Sequence, residues 1–402
     1  MSGGSAECAG VPAEETDAVL THRHCGDEPQ ADAPNEGDAE GVRATWVDRV
    51  CCAVFYTLFW GQPFAIVGGV LWALRRVHRV GVAASWPLVA ALALTVAAYV
   101  GLTLAWTRGP LRTGTRWLRF CNCFLVRHAT RALGCRIEFS AEPESEDDEH
   151  EDEDERDKEK DRDKEMDQDM DDKNKDNKGR RFILGVHPHG ITAIERVLFW
   201  GARDERWDRA FPGTDTRDLI ASTLMLAPGA RLWCLWSGCV AAGRACAERV
   251  LRETRCSLLL YPGGEKEALL ASPAHHAAYV LRHRGFCRLA LAHGADLVPC
   301  YVFGANQQFR TSTALMRLRR WVQATCAVAV PLFWGHPLLP WVPRRARPLV
   351  AVVGAPIRVP RVPNPSDEQV AALHRRYIDA LKDVFDSNKA RLGYPHDVLE
   401  IY

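Results

Sequence analysis

The chain is organised by where apolar residues run unbroken and where polar residues interrupt them. Two stretches carry no Asp, Glu, Lys or Arg: Cys51 to Leu74 and Val82 to Thr107. Each reaches the roughly 20 apolar residues a helix needs to cross a bilayer. The short segment Arg75-Arg76-Val77-His78-Arg79 separates them as a predicted loop. The pattern predicts a two-helix hairpin over residues 46–107. Its form is either spanning or re-entrant, because Gly61-Gln62-Pro63 is expected to break the first run. Two buried helices of a soluble core are the alternative. Arg108, Arg112, Arg116, Arg119, Arg127 and Arg131 follow the second run and outnumber the three loop arginines. By the positive-inside rule this predicts a cytosolic catalytic body.

From residue 180 onward the period changes. Short apolar runs read as strands: Phe182 to Val186, Ser257 to Tyr261, Asp296 to Phe303 and Leu349 to Val353. Helical patterns fall at Ala245 to Glu253, Gly285 to His293 and Thr311 to Trp321. A long helix begins after the cap signal Ser366-Asp367-Glu368 and runs to about Arg391. Alternation of this kind predicts an α/β fold, a mixed sheet with parallel strands covered by helices. Trp321 to Pro343, rich in Trp, Pro and Leu, is too broken to span. It reads either as a segment lying on a membrane surface or as a buried loop.

Charge refines this division. Lys plus Arg and Asp plus Glu each total 51, so the formal net charge is zero. Much of the acid sits between Glu142 and Lys178, a tract too poor in apolar residues to offset its chain entropy, which leaves the body basic. The expected organisation is a disordered polar N-terminus over 1–45, the membrane hairpin over 46–107, and a basic membrane-proximal segment over 108–141. A disordered charged insertion over 142–179 and a catalytic domain over 180–402 complete it. The start of the chain lacks a basic region followed by an apolar core and does not read as a cleaved signal peptide. The 14 cysteines show no CxxC pairs and no disulfide framework. Cys51-Cys52 and Cys121-x-Cys123 lack a second ligand pair at zinc spacing, so no metal is expected.

Three motifs carry chemistry. His187-Pro188-His189-Gly190 follows the first strand, where α/β sheets collect catalytic groups. An imidazole there can serve as a base near neutral pH, and Gly190 allows close approach of a substrate. Two histidines in a tight turn also occur for structural reasons, and Glu195 is the nearby carboxylate. Tyr261-Pro262-Gly263-Gly264-Glu265-Lys266-Glu267 ends a second strand. Its glycine N–H groups can cradle a phosphate or an oxyanion, and Glu265 or Glu267 can orient a histidine. A solvated turn entering a helix is the plain alternative. Arg282, Arg284 and Arg288 suit the phosphates of CoA or a phospholipid surface, or form an ordinary solvated face.

Taken in order, the apolar hairpin, HPHG, PGGxxE, RxGFxxLAxxHGADLVPxYxFGxN and FDxxKxxxGxPxxxxLEI resemble the diacylglycerol acyltransferase type-2 family. That family includes monoacylglycerol and wax-ester acyltransferases. The resemblance is loose over 45–140 and close over 180–402. It implies an acyl-CoA donor used as substrate, no cofactor, no metal, and a neutral-lipid acceptor, with diacylglycerol the expected one and triacylglycerol the product. It also implies residence at the endoplasmic reticulum membrane or the lipid-droplet surface, and it leaves a homo-oligomer open. Nucleic acid is not an expected partner. By resemblance the catalytic positions are His187, His189 and Glu267. Arg284, Gly285 and Phe286 match RxGF and Asn306 matches FGxN, which groups them with Gly190, Gly263 and Gly264 as acyl-CoA or oxyanion binders. Either histidine can be the base; His189, beside Gly190, is favoured over His187, so His189→Ala is expected to abolish turnover. Three departures touch the choice of acceptor, the first being the charged insertion just before HPHG, where the family pattern leads one to expect a short link. The family's FGEN is Phe303-Gly304-Ala305-Asn306 here, and the segment Ser237 to Arg244 matches only partly. A serine hydrolase would need a GxSxG elbow, which is lacking, since Ser222 and Ser237 stand in other contexts. A non-catalytic lipid-droplet scaffold is the third reading.

Overall fold

The computed structural model describes residues 44–106, 113–140, 180–200, 205–222, 224–225, 230–326, 329–344 and 347–402. The polar N-terminus and the charged insertion at 142–178 lie outside the described residues.

Helix α1, Trp46–Val80, starts from a capping box in which Thr45 accepts from the Asp48 N–H and Asp48 accepts from the Thr45 N–H. Asp48 also holds His128 at 2.6 Å and Arg131 at 3.6 Å. Both partners are on α3, Phe124–Ala132, so the start of α1 is tied to the body. The backbone of α1 runs unbroken through Gly61-Gln62-Pro63 and through Arg75 to Arg79, correcting the expected break and the expected loop. It stops at Gly81, whose N–H donates to the Val77 carbonyl, and α2, Val82–Trp106, follows.

The first apolar run is divided between two environments. Cys51, Cys52, Phe55, Tyr56 and Phe59 are buried against the body, with the rings of Phe55 and Phe59 edge-on to Trp233. Val70, Leu71, Trp72 and Leu74, two turns and more beyond, are exposed. The expected spanning helix is thus half a core helix. Among the described residues no helix is long and apolar enough to cross a membrane.

The central sheet has seven strands in the order β1-β10-β7-β2-β5-β3-β4. Their ranges are β1 Arg136–Phe139, β2 Phe182–His187, β3 Thr216–Ile220, β4 Val240–Ala241, β5 Ser257–Leu260, β7 Asp296–Phe303 and β10 Val350–Val353. All neighbours are parallel except β10 with β7. The mixed α/β expectation therefore holds. β2, β5, β7 and β10 are buried along their whole length, which is why they read as largely apolar runs with a polar residue only at an end. β1 comes from the segment expected to be merely membrane-proximal, so the sheet draws on residues on both sides of the charged insertion.

Helices α4, Ala230–Trp236, α5, Arg244–Glu253, and α6, Gly264–Leu270, lie between β3 and β7 in the chain. They are followed by α7, Gly285–His293, α8, Met316–Cys326, and α9, Asp367–Lys389. α9 begins from a capping box between Ser366 and Gln369 and packs along β7. The predicted helix at Thr311 to Trp321 is displaced. Arg310–Ser312 forms β8, paired with β9, Leu332–Trp334, and the helix starts only at Met316. A further parallel pair joins β6, His276–Ala278, to β11, Leu399–Ile401.

Candidate active site

Because β2, β5 and β7 run parallel, their carboxyl ends meet on one edge. His187 closes β2, opposite Tyr301 of β7, and the turn after β5 leads into α6. Gly185, on β2, has no side chain because the Tyr377 hydroxyl fills that place and donates to its carbonyl at 3.1 Å. Phe286 packs its ring 4.8 Å from Tyr377, supporting the strand from behind.

Glu267, on the first turns of α6, lies with its carboxylate between the HPHG turn and the segment after β6. It accepts from His187 Nδ1 at 3.0 Å and from the backbone N–H of His189 at 2.7 Å and of Tyr279 at 2.9 Å. Tyr279 is positioned by the β6–β11 pair, with Tyr402 N–H donating to the Ala278 carbonyl and the Tyr402 ring stacked on Tyr279 at 5.0 Å. That pairing connects the LEI element to the site. Gly263 is required sterically: a Cβ there would stand 2.2 Å from the Glu267 carboxyl carbon. Burial pushes the Glu267 carboxyl up, but His187 and the two backbone N–H groups outweigh it, so its pKa is held below the ordinary value. A carboxylate accepting from a histidine Nδ1–H leaves Nε2 as the lone-pair nitrogen. Nε2 of His187 is buried and makes no hydrogen bond.

His189 is half-buried. Its Nδ1 is 3.0 Å from the Gly190 carbonyl and its ring is 5.0 Å, edge-on, from Tyr261. Burial lowers its pKa, so the ring is neutral at pH 7. Gly190 has φ +57 and faces Ala305, whose carbonyl would be 3.6 Å from a Cβ. Asn306, next in the FGxN element, donates to the His275 carbonyl at 3.0 Å and has a buried Oδ1 without a partner.

A second polar group borders the turn. Glu195 is buried, and its carboxyl is 3.8 Å from the place a Gly190 Cβ would occupy. Its Oε1, Arg196 Nη1, Thr192 Oγ1 and the Tyr261 hydroxyl are buried without a hydrogen bond of normal geometry. The Arg196 guanidinium lies 4.7 Å over the Tyr261 ring. Burial raises the Glu195 pKa to about 8, against the opposing pull of Arg196. Burial also raises the Tyr261 hydroxyl well above its usual range. Unpartnered polar atoms in a dry interior, next to shifted acids, mark a place for ligand atoms. Of this group, the sequence pointed to Glu195, as a nearby carboxylate, and to Tyr261, at the start of the PGGxxE motif, but not to Arg196 or Thr192. The usable signal was an acid–base pair inside the otherwise apolar run Ile191 to Trp200.

The structure brings together His187, His189, Gly190, Gly263 and Glu267, with Asn306 beside them. Arg284 and Gly285 stand exposed at the start of α7. The Gly264 N–H donates to the Tyr261 carbonyl at 3.1 Å, so it is not the open oxyanion donor expected from the motif.

The family model described as diacylglycerol acyltransferase matches residues 169–401. Human 2-acylglycerol O-acyltransferase 3 is 31% identical over 231 residues, covering 54% of this chain and 67% of the relative. Mouse acyl-CoA wax alcohol acyltransferase 2 is 29% identical over 236 residues, covering 55% and 70%. Bovine diacylglycerol O-acyltransferase 2 is 30% identical over 235 residues, covering 55% and 65%. No solved structure matches. With its motifs assembled on one edge of the sheet, the chain belongs to the diacylglycerol acyltransferase family and is an acyltransferase of lipid biosynthesis.

Proposed function

We propose that the chain transfers a fatty acyl group from acyl-CoA to the free hydroxyl of diacylglycerol, forming triacylglycerol. One observation carries the mechanism. Glu267 holds His187 through Nδ1, and the opposite ring nitrogen is buried without a partner. In this reading His187 Nε2 takes the proton of the acceptor hydroxyl as its oxygen attacks the thioester carbonyl carbon. Glu267 fixes the tautomer and stabilises the imidazolium. The tetrahedral oxyanion then collapses, the C–S bond breaks, and the CoA thiolate takes the proton back from His187. No acyl-enzyme is required. The base is thereby moved from His189, the expected one, to His187. The reason is that His189 Nδ1 faces a carbonyl while His187 has the carboxylate. Arg196, whose guanidinium lies 4.7 Å over the Tyr261 ring, is the proposed partner of the oxyanion, a role worth about 3 kcal/mol in comparable sites.

The acceptor is drawn from the family description. The relatives named for 2-acylglycerol and wax alcohol supply the alternatives, since all offer the same hydroxyl. We place the reaction at the cytosolic face of the endoplasmic reticulum membrane or on lipid droplets. The exposed apolar half of α1 supports this, as do the arginines that follow α2.

The test uses membranes from a host lacking neutral-lipid synthesis, supplied with labelled acyl-CoA and each acceptor separately, with His187→Ala and His189→Ala alongside. Labelled triacylglycerol from the parent, lost in His187→Ala, is expected. A different labelled ester keeps the mechanism and replaces the acceptor. No ester with any acceptor, from folded protein, overturns the proposal in favour of a scaffold.

A further inference from the structure

Between Asp296 and Asp367 the chain has no Asp or Glu, whereas seven arginines lie from Arg310 to Arg347. This acid-free stretch builds a small lobe of β8, α8, β9 and the loop after it. In the β8–β9 pair Arg310 lies opposite Trp334 and Ser312 opposite Leu332, so these four share one face. Phe333 points the other way, its ring 5.0 Å from the core residue Phe309. α8 is pinned to the pair by Arg319, which donates to the carbonyls of Ser312 at 2.6 Å and Val330 at 2.7 Å. That leaves Leu318 and Trp321, three residues apart, on the outer side.

The outer side is apolar to an unusual degree. Leu315 is 68% exposed, Leu318 53%, Trp321 63%, Trp334 42% and Leu338 83%. These large apolar side chains come from α8, the turn before it, β9 and the loop after it, and exposed apolar groups of this size in one lobe mark an interaction surface. Exposed Arg310 and Arg317 stand among them. The lobe also follows directly from the carboxyl end of β7, the edge where His187 sits. Its loop reaches α1, where Trp341 Nε1 donates to Thr57 at 3.0 Å.

We propose that this lobe docks on an anionic phospholipid leaflet. Trp321, Trp334, Leu318 and Leu338 enter the boundary between headgroups and acyl chains, and Arg310 and Arg317 bind lipid phosphates. Charge selects this occupant over a second copy of the chain. A two-fold contact would set arginines against arginines with no acid to offset them. Docking in this way turns the His187 edge toward the leaflet, and it does not depend on which acceptor is used.

The test is photo-cross-linking of the full chain in vesicles of phosphatidylcholine and phosphatidylserine with radiolabelled acyl chains. p-Benzoylphenylalanine replaces Leu318, Trp334 or, as a control, the exposed Glu368 of α9. Positions 318 and 334 should label lipid and position 368 should not. Arg310→Glu and Arg317→Glu should each weaken the label about fivefold, on the anionic vesicles and not on phosphatidylcholine alone. Labelling at 318 and 334 no greater than at 368 overturns the proposal, as does cross-linking into a second copy. The readout is lipid contact rather than ester formation, so it can fail while the catalytic reading stands, and the reverse.

Discussion

Glu267 and Glu195 flank the same HPHG turn, and both are buried, yet they ionise in opposite senses. Glu267 accepts from one imidazole and two backbone N–H groups, and these overcome its burial and keep it an anion. Glu195 has its own backbone N–H, Arg196 and the Tyr261 hydroxyl against it, but burial outweighs them and carries its pKa to about 8, leaving it protonated at neutral pH. Depth in the protein is similar for the two; the donors within reach decide the charge. One carboxyl is suited to orient a base, and the other to offer an O–H.

Experiments on the two sides of the turn test that contrast. The largest effect should come from His187→Ala, which removes the proposed base and should lower kcat by about 10³-fold or more. If His189→Ala did this and His187→Ala did not, the base assignment would reverse. Glu267→Gln keeps the shape and removes the charge, and should cost about 10²-fold in kcat with little change in KM for acyl-CoA. Gly263→Ala should act in the same direction, because the new methyl group meets the Glu267 carboxyl. His189→Ala should lower kcat by about tenfold, since it alters the wall of the site and spares the dyad.

Glu195→Gln should change activity least, because the acid it replaces is already neutral, and its signature is in stability. A folded-state pKa raised from 4.5 to about 8 means that the folded protein holds a proton the unfolded chain releases. Stability is therefore lost as pH rises through that window, and Glu195→Gln should flatten the decline in Tm. Glu267 has the opposite sign. Its contribution is present above 4.5 and lost as pH falls through its lowered pKa, so Glu267→Gln should blunt acid destabilisation instead. Thermal melts of both variants across pH would show the contrast, and parallel curves would refute it.

Much of this was readable from residues alone. β7 was found to its ends because an apolar run, Leu297 to Phe303, follows an acid, Asp296, that Arg180 and Arg358 hold at its start. α9 was found from its cap. His187 and His189 stood out because they close a strand, and Glu267 was chosen over Glu265 by the family resemblance; the structure brings the three within hydrogen-bond reach. What escaped depends on contacts across the chain. β1 is four residues long, with Arg136 and Glu138 paired to each other, and is a strand only through β10. β8 reads as the start of a helix until β9 is opposite it. The first apolar run has one hydrophobic character throughout, and contacts with α3, Trp233 and Trp341 show which half the body claims.

The topology has a consequence for synthesis. β1, at residues 136–139, has a single sheet neighbour, β10, at 350–353, and the Tyr279 backbone that holds Glu267 is secured by β11, at 399–401. A ribosome must therefore add more than 200 residues after β1 before that strand finds its partner. Contacts this distant in sequence close slowly and leave edges open to mispairing in the meantime. The catalytic edge is thus assembled after translation has passed it, and a nascent chain halted before residue 399 would carry HPHG and PGGxxE without the β11 strand that secures Tyr279 against Glu267.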